Sequence, residues 1–315
     1  MTSPLSLHSR INLFAADIKL GHSVFAMPWA VLACFLAADS VTPGARPAVG
    51  QVLLIVACMF FARTVAMAAN RLLDARLDAL NPRTRGRAVP SGRLSTTFVA
   101  AAGALCAAGF VVACAGFGVF FGNWVPLIAA VPVLAFVAAY PLMKRFTRLC
   151  HYYLGAALAL APVCAWAAVA GNVTIEPLLV LSMRVAGSAV PLLMAATVLL
   201  WTAGFDILYA CQDVASDRET GVFSVPAAVG VARALLIARA THAACAVALV
   251  GIGLASPALG TIYFLGVGLA VALLVAEHAI VRADDLSKLN VAFFTLNGIM
   301  SVAVGTFGVI DVLVR

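Results

Sequence analysis

The sequence predicts an all-α polytopic membrane protein, with nine transmembrane helices bundled around a central cavity. Three observations predict it. Of 315 residues, 64% are hydrophobic and 10% charged, where a soluble domain carries about 45–50% apolar and about 25% charged residues. The mean hydropathy is +1.07. The apolar residues gather into runs of membrane-crossing length, about 20 residues each, and clusters of Gly, Pro and charge separate them.

Taken in order, the runs fall near 20–38, 50–70, 95–118, 123–141, 151–170, 188–210, 231–252, 257–279 and 290–312. Residues 1–16 lack a continuous apolar core, so they predict an interfacial or disordered segment rather than a cleaved signal peptide. Residues 174–187, with Glu176 and Arg184, predict a loop or an interfacial helix. The chain reads as a single domain over 1–315.

Lysine and arginine set the orientation. With the N-terminus inside, sixteen basic residues fall in cytoplasmic segments and three outside (Arg46, Arg184 and Arg315), while Arg63 lies within a span. This bias predicts a multi-pass protein of the inner (cytoplasmic) membrane, N-terminus cytoplasmic. The net charge of +7 is then a basic inner face, suited to anionic lipid or a phosphorylated substrate. Short loops between spans offer no platform for nucleic acid.

Eight cysteines lie scattered through the apolar runs with no CxxC, which reads as small core residues rather than metal ligands or disulfides. His22 and His151 stand near predicted helix starts, where interface anchoring is the plainer role than a headgroup or substrate contact. Trp29, Trp124, Trp166 and Trp201 read as interface anchors. Pro126, Pro132, Pro162 and Pro191 read as kinks. Asn297 reads as an interhelical hydrogen-bonding residue, and Glu277 has no evident role.

The chemistry concentrates in two stretches. Asp74 and Asp78 close the second span, four residues apart, with Asn70 one turn earlier. On a helix all three share a face. Six arginines (71, 76, 83, 85, 87 and 93) crowd this region. Asp213 and Asp217 repeat the spacing at the end of the sixth span, with Tyr209 one turn earlier and Asp206 a turn deeper. The offset between the pairs is 139 residues in both positions, and a Val-Pro step follows each (Val89-Pro90, Val225-Pro226), as in a parallel internal repeat. Carboxylates near membrane depth are costly and functional by default. Two facing pairs suit Mg2+, which takes oxygen ligands from one or two carboxylates, waters and substrate phosphates. Arg71, Arg85, Arg87, Lys144 and Arg145 are the nearest cations for a diphosphate. The ion and the cations would stabilise that group as it leaves, and the apolar bundle would keep the remaining carbocation dry.

These motifs resemble the paired signatures of the UbiA superfamily of intramembrane prenyltransferases, N-x-x-x-D-x-x-x-D (Asn70, Asp74, Asp78) and Y-x-x-x-D-x-x-x-D (Tyr209, Asp213, Asp217). The resemblance runs from about residue 17 to the C-terminus. It implies Mg2+-dependent transfer of a polyprenyl chain from its diphosphate to an acceptor, usually an aromatic acid. It implies that Asp74, Asp78, Asp213 and Asp217 bind the metal, that Asn70, Arg71, Arg85, Lys144 and Arg145 bind the diphosphate, and that Asp206 and Tyr209 are catalytic. Asp206 would activate the acceptor hydroxyl, and Tyr209 would steady the allylic cation or bond the diphosphate.

Asn70-Arg71 departs from the Asn-Asp of many 4-hydroxybenzoate transferases. Asn81-Pro82-Arg83-Thr84, the block Tyr140–Thr147 and Phe223-Ser224-Val225-Pro226 are similar to the menaquinone branch that follows the futalosine route. The expected acceptor is therefore 1,4-dihydroxy-6-naphthoate, with 4-hydroxybenzoate of ubiquinone synthesis as the alternative. A cation transporter is the rival from another class, disfavoured because the arginines would repel its cargo.

Overall fold

The computed structural model describes residues 6–19, 25–171 and 189–315. The segment expected at 174–187 lies outside the described residues. Thirteen α-helices make up most of the described residues. They are α1 Leu7–Asp17, α2 Met27–Val41, α3 Val49–Leu73, α4 Ala75–Leu80, α5 Thr96–Phe121, α6 Val125–Met143, α7 Cys150–Ala170, α8 Ala189–Ala210, α9 Val214–Thr220, α10 Val225–Val229, α11 Val231–Ala255, α12 Thr261–Ile280 and α13 Asn297–Val314. A π-helical turn, Val291–Leu296, leads into α13.

Among the described residues, eight helical segments are long and apolar enough to cross a membrane, and α2 is a shorter apolar helix. Eight full spans therefore stand where nine were expected, because α2 is shorter than the expected first span. The 15 residues of α2 reach roughly 22 Å at 1.5 Å per residue, less than a bilayer core. Yet α2 is deeply enclosed, with Trp29, Leu32, Ala33, Cys34 and Leu36 buried. It packs on α7 and α13.

Neighbouring helices close a ring. Contacts run from α2 through α3, α6, α7, α8, α11, α12 and α13 back to α2, and α5 lies outside against α3 and α6. Local signals set several ends. Ser95 caps α5 by accepting from the Phe98 amide at 3.2 Å, and Gly122 closes it in the left-handed region at φ 72°. The α7–α8 crossing is close, and Gly155 sits there against the Leu199 backbone with no room for a Cβ. Pro132 and Pro141 lie inside α6 and Pro162 inside α7 without ending either helix.

Three of the four tryptophans depart from expectation. Trp29 and Trp201 are fully buried, Trp166 nearly so, and Trp124 is 44% exposed. Trp29 and Trp201 pack with ring centroids 6.0 Å apart, and Trp201 donates to Asn297 Oδ1 at 2.5 Å. They build the core of the bundle and do not anchor its rim. Asn297 bridges helices as expected, and donates to Glu277 Oε1 at 2.9 Å. All eight cysteines are free thiols.

The N-terminal residues form a helix, α1, capped by Ser6. Its Phe14, with Ile18, packs onto Ala68, Ala88, Val89, Leu94 and Val99. This lays α1 over the loop between α4 and α5.

Candidate active site

Both acidic motifs sit where a long helix breaks. The α3 helix stops at Asp74 (φ −91°, ψ 0°) and resumes as α4. The α8 helix gives way to a single 3-10 turn ending at Asp213 (φ −102°, ψ 4°), followed by α9. The two aspartates share one sparsely populated backbone region in which many active-site residues sit, so the repeat is visible in the backbone. The expected continuous helical face is replaced by a bend, although the Asp78 amide still bonds to the Asp74 carbonyl at 2.8 Å.

The bends aim both motifs into one cavity of about 340 Å³. Asn70, Asp74 and Asp78 line it together with Asp206, Tyr209, Asp213 and Asp217. The halves touch directly. Asn81 Nδ2 donates to Asp213 Oδ1 at 2.9 Å, and Arg83 grips both Asp213 oxygens at 2.9 and 2.6 Å. The Arg83 guanidinium also lies 5.2 Å from the Tyr209 ring centroid. Burial works against the Arg83 charge, but the bonds to Asp213 outweigh it and raise its pKa.

The other carboxylates are held as follows. Asp74 accepts from Asn70 Nδ2 and from Lys144 Nζ, both at 2.7 Å. Its Oδ1 is buried without a hydrogen bond, with Arg145 3.7 Å away. Burial raises the Asp74 pKa against the pull of Lys144. Both Asp78 oxygens accept from Arg87 at 2.8 Å. Asp217 accepts from Ser224 Oγ at 2.7 Å. Asp206 lies 2.6 Å from His151 Nδ1.

Of the expected diphosphate ligands, Asn70, Arg71 and Lys144 line the cavity, and Arg85 and Arg145 do not. Arg71 is buried and engaged, with Nε 2.9 Å from Asp17 Oδ2, Nη2 donating to the Asp17 carbonyl and Nη1 to Asn70. It forms part of the cavity wall and straps α1 onto α3. Arg85 is exposed and off the cavity wall. Arg145 is likewise off the wall and donates to the Leu73 carbonyl. Arg83, Arg87 and Lys19 also line the cavity. The Lys19 ammonium lies 4.8 Å from the Phe294 ring centroid. Burial, then Arg87, Arg83 and Arg71, lower its pKa. The sequence marked the arginine cluster but not which members turn inward, because the Asn81-Pro82 turn decides that.

The donor set suits Mg2+. It offers hard oxygens from two helix ends and an unpartnered buried carboxylate oxygen on Asp74. Among the described residues no three carboxylate, imidazole or thiol groups are gathered around one point, so further ligands would come from water or phosphate.

A second cavity, also about 340 Å³, is almost wholly apolar and lies among α3, α5, α6 and α7. It shares Phe25, Arg63, Met67, Tyr140, Leu154 and Leu158 with the polar one. A polar head group and a long apolar tail can thus occupy adjoining rooms.

The family model of the UbiA prenyltransferase family matches residues 26–299. The chain belongs to the UbiA prenyltransferase family. It is a prenyl-transferring, multi-pass membrane enzyme, which removes the transporter reading. It is 29% identical over 307 residues to a 4-hydroxybenzoate octaprenyltransferase of Marinobacter nauticus, covering 94% of each chain. A second 4-hydroxybenzoate octaprenyltransferase, from Chromohalobacter salexigens, is 29% identical over 273 residues, 86% of this chain and 82% of that one. The structure of a UbiA homolog from Aeropyrum pernix superposes with a TM-score of 0.80 at 27% identity, over 93% of this chain and 98% of the other. A UbiA homolog from Archaeoglobus fulgidus bound to DMAPP and Mg2+ shares the fold, with a TM-score of 0.64 at 17% identity over 96% and 99%. The relatives' names correct the expected branch. Both are named 4-hydroxybenzoate octaprenyltransferase, which favours the alternative acceptor over the naphthoate.

Proposed function

We propose that this UbiA-family enzyme transfers a polyprenyl group from its diphosphate to 4-hydroxybenzoate. One observation carries the reading. A polar chamber lined by five carboxylates and several cations adjoins an apolar chamber of similar volume among α3, α5, α6 and α7. The names of the curated relatives supply the acceptor.

Asp74, Asp78, Asp213 and Asp217 would hold Mg2+, which supplies charge neutralisation on the diphosphate as the carbon–oxygen bond breaks. Asn70 fixes the rotamer of Asp74. Lys144, Arg83 and Arg87, now paired with these carboxylates, turn to phosphate oxygens when the diphosphate arrives. The apolar chamber takes the prenyl tail and excludes water. Tyr209, packed on Phe293 with centroids 4.3 Å apart, presents a ring to the developing allylic cation. Asp206 accepts a hydrogen bond from the acceptor hydroxyl, which enriches the adjacent ring carbon. That carbon bonds to the allylic carbon, diphosphate departs, and the ring proton is lost to Asp206 as aromaticity returns.

The bias of basic residues toward one set of loops supports a site opening to the cytoplasm from the inner membrane. The test supplies membranes containing the chain with polyprenyl diphosphate, Mg2+ and either 4-hydroxybenzoate or 1,4-dihydroxy-6-naphthoate. Mass spectrometry should find prenylated hydroxybenzoate. Product from the naphthoate alone, or from neither, overturns the proposal.

A further inference from the structure

We infer that His151 is a positioning residue for Asp206 and works in one tautomer, imposed by the backbone amide that begins α10. This rests on the role given to Asp206 above. His151 lies in the first turn of α7, and its side chain is only 3% exposed. Nδ1 lies 2.6 Å from Asp206 Oδ2. On the other side, the Val225 amide donates to Nε2 at 3.2 Å.

A backbone N–H can only donate, so Nε2 must present its lone pair. The ring proton then resides on Nδ1, directed at Asp206. A neutral imidazole in this tautomer gives Asp206 one fixed hydrogen bond and aims its carboxylate, while Asp206 itself remains on the chamber wall with 26% of its side chain exposed. The sequence hides this relation, since His151 and Asp206 lie 55 residues apart on different helices.

The same short stretch serves the metal-side carboxylates. Phe223 N–H donates to the Lys144 carbonyl at 2.7 Å, Ser224 Oγ donates to Asp217 at 2.7 Å, and Val225 holds His151. Three consecutive residues thus tie the diphosphate side to the acceptor side. A loop shifted at Ser224 would carry the Val225 amide with it and turn the imidazole.

Two variants divide the imidazole into halves. In His151→Asn the amide nitrogen falls near the former Nδ1 and still donates to Asp206, but Val225 loses its acceptor. In His151→Gln the carbonyl reaches Val225, but nothing donates to Asp206. His151→Gln should lower kcat about 10- to 100-fold, the scale of one hydrogen bond to a charged group, with KM for prenyl diphosphate and the Mg2+ dependence unchanged. His151→Asn should keep kcat within about 3-fold and raise the Mg2+ concentration needed for half-maximal rate. Equal loss in both variants, no loss in either, or a loss confined to KM overturns the proposal. Nitrogen NMR of labelled wild-type protein, with His151 assigned through its hydrogen bond to the Val225 amide, needs neither variant nor substrate. A protonated Nδ1 and bare Nε2 support the assignment, and a protonated Nε2 overturns it. An enzyme inactive on 4-hydroxybenzoate would count against the acceptor, leaving the NMR result to decide the tautomer.

Discussion

Replacing Gly155 by alanine tests whether helix packing sets the catalytic geometry. Gly155 lies one turn beyond His151 on α7, facing α8, which carries Asp206. A Cβ there would sit 3.1 Å from both C and Cα of Leu199 and closer still to its carbonyl oxygen. The obstacle is backbone, so no rotamer change relieves it, and α7 must retreat from α8. Overpacking of this kind costs about 1–3 kcal/mol. At about 2–4 °C per kcal/mol for a large domain, the melting temperature in detergent should fall by about 2–12 °C. The retreat also stretches the 2.6 Å contact between His151 and Asp206, so kcat should fall more than KM rises. Gly251→Ala is the control, because its Cβ meets the tip of the Leu193 side chain at 3.3 Å, which can move aside. Tryptophan fluorescence melting and steady-state turnover read both effects. A Gly155→Ala enzyme as stable and fast as wild type, or a Gly251→Ala enzyme equally damaged, would refute the reasoning.

The remaining predictions concern the chamber itself. Asp74→Ala and Asp213→Ala should each abolish turnover at saturating Mg2+ while membrane expression stays normal, and near-wild-type activity in either would remove the metal role. Arg83→Ala should raise KM for prenyl diphosphate about 10- to 100-fold through the loss of a charge-assisted pair, whereas Arg85→Ala, exposed and off the wall, should leave that KM unchanged. Added Mg2+ should raise the melting temperature and EDTA should reverse the rise, because a ligand that binds only the folded state stabilises it, and a melting point indifferent to both would count against the site. Trp201→Phe should cost about 1–3 kcal/mol by leaving the buried Asn297 carbonyl oxygen without its donor, measurable as earlier thermal unfolding with the chamber chemistry intact.

Membrane residence, the helical class and the identity of the acidic residues were legible because they depend on local sequence. Runs of apolar residues must become helices where no water can satisfy the backbone, and the four-residue spacing of Asp74–Asp78 and Asp213–Asp217 repeats too closely to overlook. Tertiary structure decided what depends on the third dimension. It placed Trp29 and Trp201 in the core rather than at the rim. It turned Arg83 and Arg87 inward and left Arg85 outside. It also joined His151 to Asp206 across two helices. A bend at Asp74, a proline turn after Asn81 and the close crossing at Gly155 each redirect side chains by amounts that no residue pattern encodes, since the direction depends on what packs against the helix from elsewhere in the chain.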